Sequence, residues 1–276
     1  MKAIWSILLL SILCFSCERD ADIPLPKTDP KLGLFCFLSP GKRIEVILVR
    51  VNPLFGSSGS SGPDYILNAT VKISDGTDTS ELKPDGADNF YIEVTPKMTI
   101  TAGRYYSIWA EVSGLPSVSA SCTVPIQKAN SMSVNHYGSV QQGDSMFHLS
   151  MIWNDIPGQE NYYRIYAENI DSLAGNIITS DVYGFNTLYY SDFGSDGEVL
   201  QSGIGIYSRN PTNVRSRWIL ANLVTCETHY YRYHLSVESN IDGNPVLGPS
   251  SLYSNVNGGV GCFGAYLLHT DKIRIF

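Results

Sequence analysis

From Leu32 onward the apolar residues of this chain fall into short runs, several alternating with polar residues, and Gly, Pro, Asn and Asp punctuate the intervals. A period of two is the period of a strand, because successive side chains point to opposite faces of a sheet. Composition agrees. Charged residues make up only 16% of the chain, while Tyr (17), Gly (24) and Pro (14) are plentiful. Surface helices draw on Glu, Lys and Ala, whereas aromatic residues fit strands and Gly and Pro fit turns. The sequence therefore predicts an all-β protein.

In the first half, strand candidates cover residues 32–38, 43–51, 69–74, 89–95, 105–112 and 117–124. Residues 55–63 (FGSSGSSGP) read as a flexible loop, and Asp75-Gly76 as a tight turn joining two strands. Turn residues about every 8 to 12 positions suit an immunoglobulin-like β-sandwich, placed at 31–126 and closed by Pro125. A second, larger antiparallel β domain, sandwich-like, is expected over 127–276. Its strand candidates are 145–153, 162–169, 187–190, 203–207, 217–224, 230–238, 250–255 and 264–269. Residues 171–184 pattern weakly and leave room for one short helix.

Ahead of these strands stands an address. Lys2, the apolar stretches 7–10 and 12–13, and Ser16-Cys17 compose a secretory signal over residues 1–16, too short for a membrane span. A cysteine at the cleavage position points to a bacterial lipoprotein with Cys17 acylated as the new N-terminus. Residues 17–30 then form a lipidated tether, acidic at first and proline-rich after. Removing 1–16 takes one Lys and no acid from the 19 basic and 26 acidic residues, leaving a net charge of −8. That charge argues against nucleic acid and against holding an anionic surface by charge alone. Attachment to the membrane falls to the N-terminal lipid.

Export exposes Cys36, Cys122, Cys226 and Cys262 to oxidation, so two disulfides are possible, Cys36 with Cys122 and Cys226 with Cys262. Four cysteines also allow two other pairings, or none, with each thiol a small buried apolar group. No CxxC occurs beyond Cys17, and no GxSxG, HExxH or GxxxxGK[ST] motif occurs, so neither cofactor nor metal is expected and the protein reads as non-enzymatic. His136, His148, His229, His234 and His269 read as isolated; a strand at 230–238 puts His229 and His234 on opposite faces. Asp192 and Asp196 could offer oxygens to calcium, but their spacing departs from the EF-hand loop, and a turn capped by its own Asp side chains explains them. The aromatic residues remain: Tyr189, Tyr190, Trp109 and Trp218 are the candidate binding residues, because aromatic rings concentrate where proteins bind.

Three segments of the second half, NDIPGQENYYR (154–164), YYRY (230–233) and YSNVNGGVGCFGAY (253–266), resemble an uncharacterised Bacteroidetes outer-membrane lipoprotein family known as domain of unknown function 4249. The first half agrees, with its lipobox, acidic tether, NATVKISDG segment and a strand ending at Pro125. The acidic residues after Cys17 resemble the export signal that carries such lipoproteins to the cell surface. The resemblance supplies no catalytic residues. It implies an outer-membrane lipoprotein often encoded near TonB-dependent transporters. Gly258, Gly259, Gly261 and Gly264 are read as a tight turn that plugs Phe263 into a core. The functional expectation is a lipid-anchored accessory or binding module at the outer membrane, partnered by a TonB-dependent transporter. The alternative is a surface adhesin or glycan-binding lipoprotein.

Overall fold

The computed structural model describes residues 29–52, 62–95, 97–129, 131–141, 144–173, 176–209, 218–241 and 252–274. The signal segment, Cys17, most of the tether and most of the loop at 55–63 lie outside these residues. The described residues are nearly all β, with one helix. In chain order the strands are β1 (Lys31–Leu38), β2 (Val46–Val51), β3 (Asp64–Tyr65), β4 (Thr70–Ser74), β5 (Thr79–Pro84), β6 (Tyr91–Ile92), β7 (Tyr105–Glu111), β8 (Val118–Thr123) and β9 (Met132–Gln141). There follow β10 (Asp144–Asn154), β11 (Tyr162–Leu173), β12 (Asn176–Val182), β13 (Tyr189–Ser191), β14 (Val199–Gln201), β15 (Gly205–Arg209), β16 (Trp218–Cys226), helix α1 (Thr228–Ile241) and β17 (Val260–Arg274). No helix among the described residues is long and apolar enough to cross a membrane.

The long sheet runs β12-β11-β16-β17-β1-β2-β6-β5-β4-β7-β8. Its β1-to-β8 part folds over so that inward residues of β1 and β2 (Leu34, Val46, Leu48) meet those of β4, β7 and β8 (Val71, Ile73, Ile108, Val118) in one core. Short turns make the reversals. In Ser39-Pro40-Gly41-Lys42, Gly41 takes φ +74° and Lys42 N donates to Ser39 O at 3.1 Å, the geometry that Pro-Gly favours. Asp75 and Gly76 (φ +87°) turn β4 into β5, and Asp75 Oδ1 accepts from the Thr77 and Asp78 amides.

The second half stacks β9, β10, β14 and β15 on β11 and β16, around Leu149, Met151, Trp153, Ile165, Ala167 and Leu223. A division at 126/127 separates the halves in sequence, but β17 joins them in space. Residues 260–265 pair in parallel with β1, and 266–274 pair antiparallel with β16. Just upstream, Asn257 exchanges two backbone hydrogen bonds with Ser119 of β8 (2.8 and 3.1 Å), so the segment touches both ends of the folded-over sheet.

The closing glycines allow this. A Cβ on Gly258 would stand 2.3 Å from Ser117 O, on Gly259 2.2 Å from Leu32 O, and on Gly261 2.0 Å from Leu34 O. Gly258 (φ +78°) and Gly261 (φ +124°) also need the left-handed backbone. Phe263, between Gly261 and Gly264, is fully buried in the sandwich core.

Three expectations change. Residues 230–238 belong to α1, not to a strand. Glu227 caps the helix: its carbonyl accepts from Tyr231 N (3.0 Å) and its carboxylate from Tyr230 N (3.2 Å). Tyr230, Tyr233 and His234, at helical spacing, lay their rings on Phe37 of β1, and Gly264 admits the helix, since a Cβ there would meet Tyr230 N at 2.9 Å. In place of a short helix, residues 171–173 end β11 and residues 176–182 form β12, which pairs antiparallel with it. Residues 252–255 form no strand. Instead the Asn255 side chain imitates one, accepting from Phe263 N (3.0 Å) and donating to Phe263 O (2.8 Å).

Candidate functional site

The pleat puts Tyr105, Ser107 and Trp109 of β7 on the outer face of the sandwich, at every second position. Register then builds two rows across the sheet. Lys72, Trp109, Ser119 and Asn257 stand side by side on β4, β7, β8 and the closing segment, and Ser74, Ser107 and Ser121 form the next row. These residues line a shallow open groove of about 390 Å3. The Trp109 ring is half-buried in its floor, and Tyr105, 52% exposed, stands at one end. Among the described residues, no carboxylate and no histidine lines the groove. Its chemistry is an indole face surrounded by hydroxyls, an amide and one ammonium. Such a surface can stack a ring and hydrogen-bond its substituents.

The other aromatic candidates lie elsewhere. Trp218, half-buried at the start of β16, carries the Lys272 ammonium 4.5 Å from its ring centroid. Tyr189 is only 9% exposed, and the Arg164 guanidinium lies 5.7 Å from its ring centroid. Arg164 also donates to Tyr230 Oη at 2.8 Å and lies over Tyr166. Tyr190 packs its ring on Trp153 (5.3 Å), and its hydroxyl donates to Thr187 O. Both tyrosines are therefore structural.

Asp192 and Asp196 do come together, joined by Asp155, with ligand oxygens all within 4.8 Å of one another. The three carboxylates cross-clip two loops. Asp155 accepts from Tyr163 Oη (2.6 Å) and Gly197 N (2.7 Å), Asp192 from Asn161 N (2.9 Å), and Asp196 from Gly158 N (2.8 Å). Burial, then the neighbouring Asp155, pushes the Asp192 carboxyl above its ordinary range. These oxygens are of the kind calcium takes, and they are the described acids best placed to hold a cation. They lie closer together than the roughly 5 to 9.5 Å that glycoside hydrolysis requires.

Cys36, Cys122, Cys226 and Cys262 are buried free thiols. Burial pushes all four well above the ordinary thiol value, so none is a poised nucleophile. Cys36 and Cys122 share the sandwich core. A Cys226–Cys262 bridge is excluded by register: Cys226 faces Tyr266, which stands four residues along β17 from Cys262. That is about 13 Å of strand, beyond the Cα separation a disulfide spans. His229 and His234 sit on α1, where His229 Nδ1 lies 2.6 Å from Tyr253 Oη.

Sequence reasoning found Trp109 but not the residues around it, because strand register is needed to bring Lys72, Ser119 and Asn257 beside it. Arg164 and Asp155 were missed as well. Arg164 alternates with Tyr162 and Tyr166 at a spacing that signals one shared face. Neither a curated protein nor a solved structure matches the chain. The profile described as Domain of unknown function (DUF4249) matches residues 18–271, and the chain belongs to that family.

Proposed function

We propose that the protein is a non-enzymatic binding module of the cell envelope. A lipid on Cys17 holds it at the outer membrane, on the cell-surface side, where it acts as an accessory to a TonB-dependent transporter. In this reading residues 31–126 are an immunoglobulin-like recognition half and residues 127–276 a larger β half behind it. The observation that supports the reading is the contrast between the two outer faces of the sandwich. One bears the hydroxyl-rich Trp109 groove. The opposite face, on β1 and β2, bears a cavity of about 360 Å3 walled by half-buried Phe35, Phe37, Ile47, Phe90 and Tyr266 and edged by Lys42, Arg43 and Glu45. An apolar centre with a charged rim suits a protein partner.

The test is affinity capture of the lipidated protein from detergent-solubilised outer membranes, with partners identified by mass spectrometry. A TonB-dependent transporter should be recovered in near-equal amount and be lost with Ile47→Glu. Recovery of the lipoprotein alone would sink the transporter partnership.

The Trp109 groove favours a second reading, a surface adhesin or glycan-binding lipoprotein. An indole stacks on the C–H face of a sugar while serine and asparagine side chains bond its hydroxyls. Titration calorimetry with neutral oligosaccharides should give saturable heat that Trp109→Ala abolishes. Equal heats from both proteins would reject the groove as a sugar site.

A further inference from the structure

A cavity of about 580 Å3, larger than the Trp109 groove and the Phe90 cavity, shares no residue with the first and only Lys42 with the second. It opens where the chain leaves the sandwich after β8. Pro40, Ile126, Leu267 and Leu268 supply apolar wall, and among the described residues Lys42 and Lys128 are its only charged lining residues. Volume and lining match a small-molecule site, in which a few polar groups orient a largely apolar ligand.

Three details give it a chemistry. Neither lysine has a carboxylate within ion-pair distance among the described residues, although the chain as a whole carries −7. Lys42 ends the Ser39–Lys42 turn, which sets its Cα at the cavity mouth, and Lys128 Nζ donates to Leu268 O at 3.4 Å. Ile126 is 70% exposed while lining the cavity, so apolar surface stands in water beside two unpaired cations.

We propose that this cavity binds an amphipathic anion, with an acyl chain along Ile126, Leu267 and Leu268 and a carboxylate or phosphate between Lys42 and Lys128. A headgroup alone would be held by two exposed lysines, which contribute little in water. A neutral chain alone would cover Ile126 yet leave both ammonium groups without a counter-charge. A ligand that carries both parts satisfies both demands. The inference depends on neither the transporter nor the glycan reading.

The experiment titrates carboxyl-labelled decanoate into the full-length protein in amphipol, followed by carbon NMR, with the variant Lys42→Gln/Lys128→Gln prepared identically. Decanol and acetate serve as the tail-only and head-only probes. Decanoate should saturate and bind about tenfold more tightly than either probe. The double variant should lose the preference over decanol, and Ile126→Ser should weaken decanoate binding while the melting midpoints stay put, all three residues being exposed. Equal affinity for decanol and decanoate, or unchanged decanoate binding in the double variant, would overturn the site. Vesicles settle the source of the anion. Lysine-dependent binding to anionic but not zwitterionic vesicles assigns the site to a membrane lipid, and a response to decanoate alone assigns it to a free acyl anion.

Discussion

At the scale of single residues, the closing glycines are the most constrained positions in the chain. Gly264 admits the backbone of α1, and the atoms a Cβ would meet there belong to Tyr230 N, Cα and Cβ, none of which can rotate aside. Gly264→Ala should therefore lower the stability to denaturant by about 1 to 3 kcal/mol, the usual cost of overpacking. Gly261→Ala should cost more, because it adds a forbidden φ to a 2.0 Å clash with Leu34 O. An unchanged denaturation midpoint in Gly264→Ala would mean that the helix does not seat against β17 as described. Asp192 offers a test of opposite sign. Its raised carboxyl binds a proton in the folded state that the unfolded chain has already released, so stability falls as pH climbs from the ordinary carboxylate range through the raised value. Asp192→Asn keeps an oxygen for the Asn161 amide and removes the repulsion with Asp155. It should melt higher than the parent at neutral pH, with the gain vanishing near about pH 3, where the parent carboxyl is protonated. A lower midpoint at neutral pH would show that the charged bond to Asn161 outweighs that repulsion.

At the scale of elements, α1 is the clearest instance of tertiary context overruling propensity. Tyr-Tyr-Arg-Tyr is strand-like by residue type, but Glu227 caps its start, and Tyr230, Tyr233 and His234 fall at i, i+3 and i+4. The capping acid and the spacing were both visible in the sequence, and the aromatic content outweighed them. Most of the longer strands were legible because one face of each alternates cleanly, as in β4 and β7. β5 (TSELKP) was not, because only Ser80 and Leu82 face inward and the rest is polar. The helix also carries the pH sensitivity of the aromatic layer. Burial, then the nearby Arg164, holds His234 at about 4, so the folded state keeps the imidazole neutral where the unfolded chain would protonate it. Stability that is complete above about pH 6.5 is lost as pH falls through that value toward 4. Between pH 7 and 5 this amounts to about 2 kcal/mol. His234→Phe should flatten that part of the profile in urea titrations; an equal slope in both proteins would place the pH dependence on another group.

At the scale of the whole molecule, the feature the sequence hid is the parallel pairing of the first strand with the last. Local alternation identifies each as a strand, but nothing local says that Cys36 will stand beside Phe263, more than two hundred residues on. The same long reach assembles the Trp109 groove, since Asn257 reaches it only through the segment that leads into β17. The consequence for stability is cooperative. Each half has its own apolar core, yet the strand that completes the first sheet continues without a break into the second, and α1 packs across the join onto Phe37 of β1 and Tyr162 of β11. Melting the first half would strip backbone partners from residues 260–265 of β17, and melting the second from residues 266–274, and buried backbone groups left unpaired are costly. Scanning calorimetry should thus record one transition whose calorimetric and van't Hoff enthalpies agree. Deleting residues 266–276, which leaves the β1 pairing in place, should lower that transition as a whole. Two separated transitions in the intact chain, with the deletion moving only one, would show instead that the halves fold independently and that β17 is a tether between them.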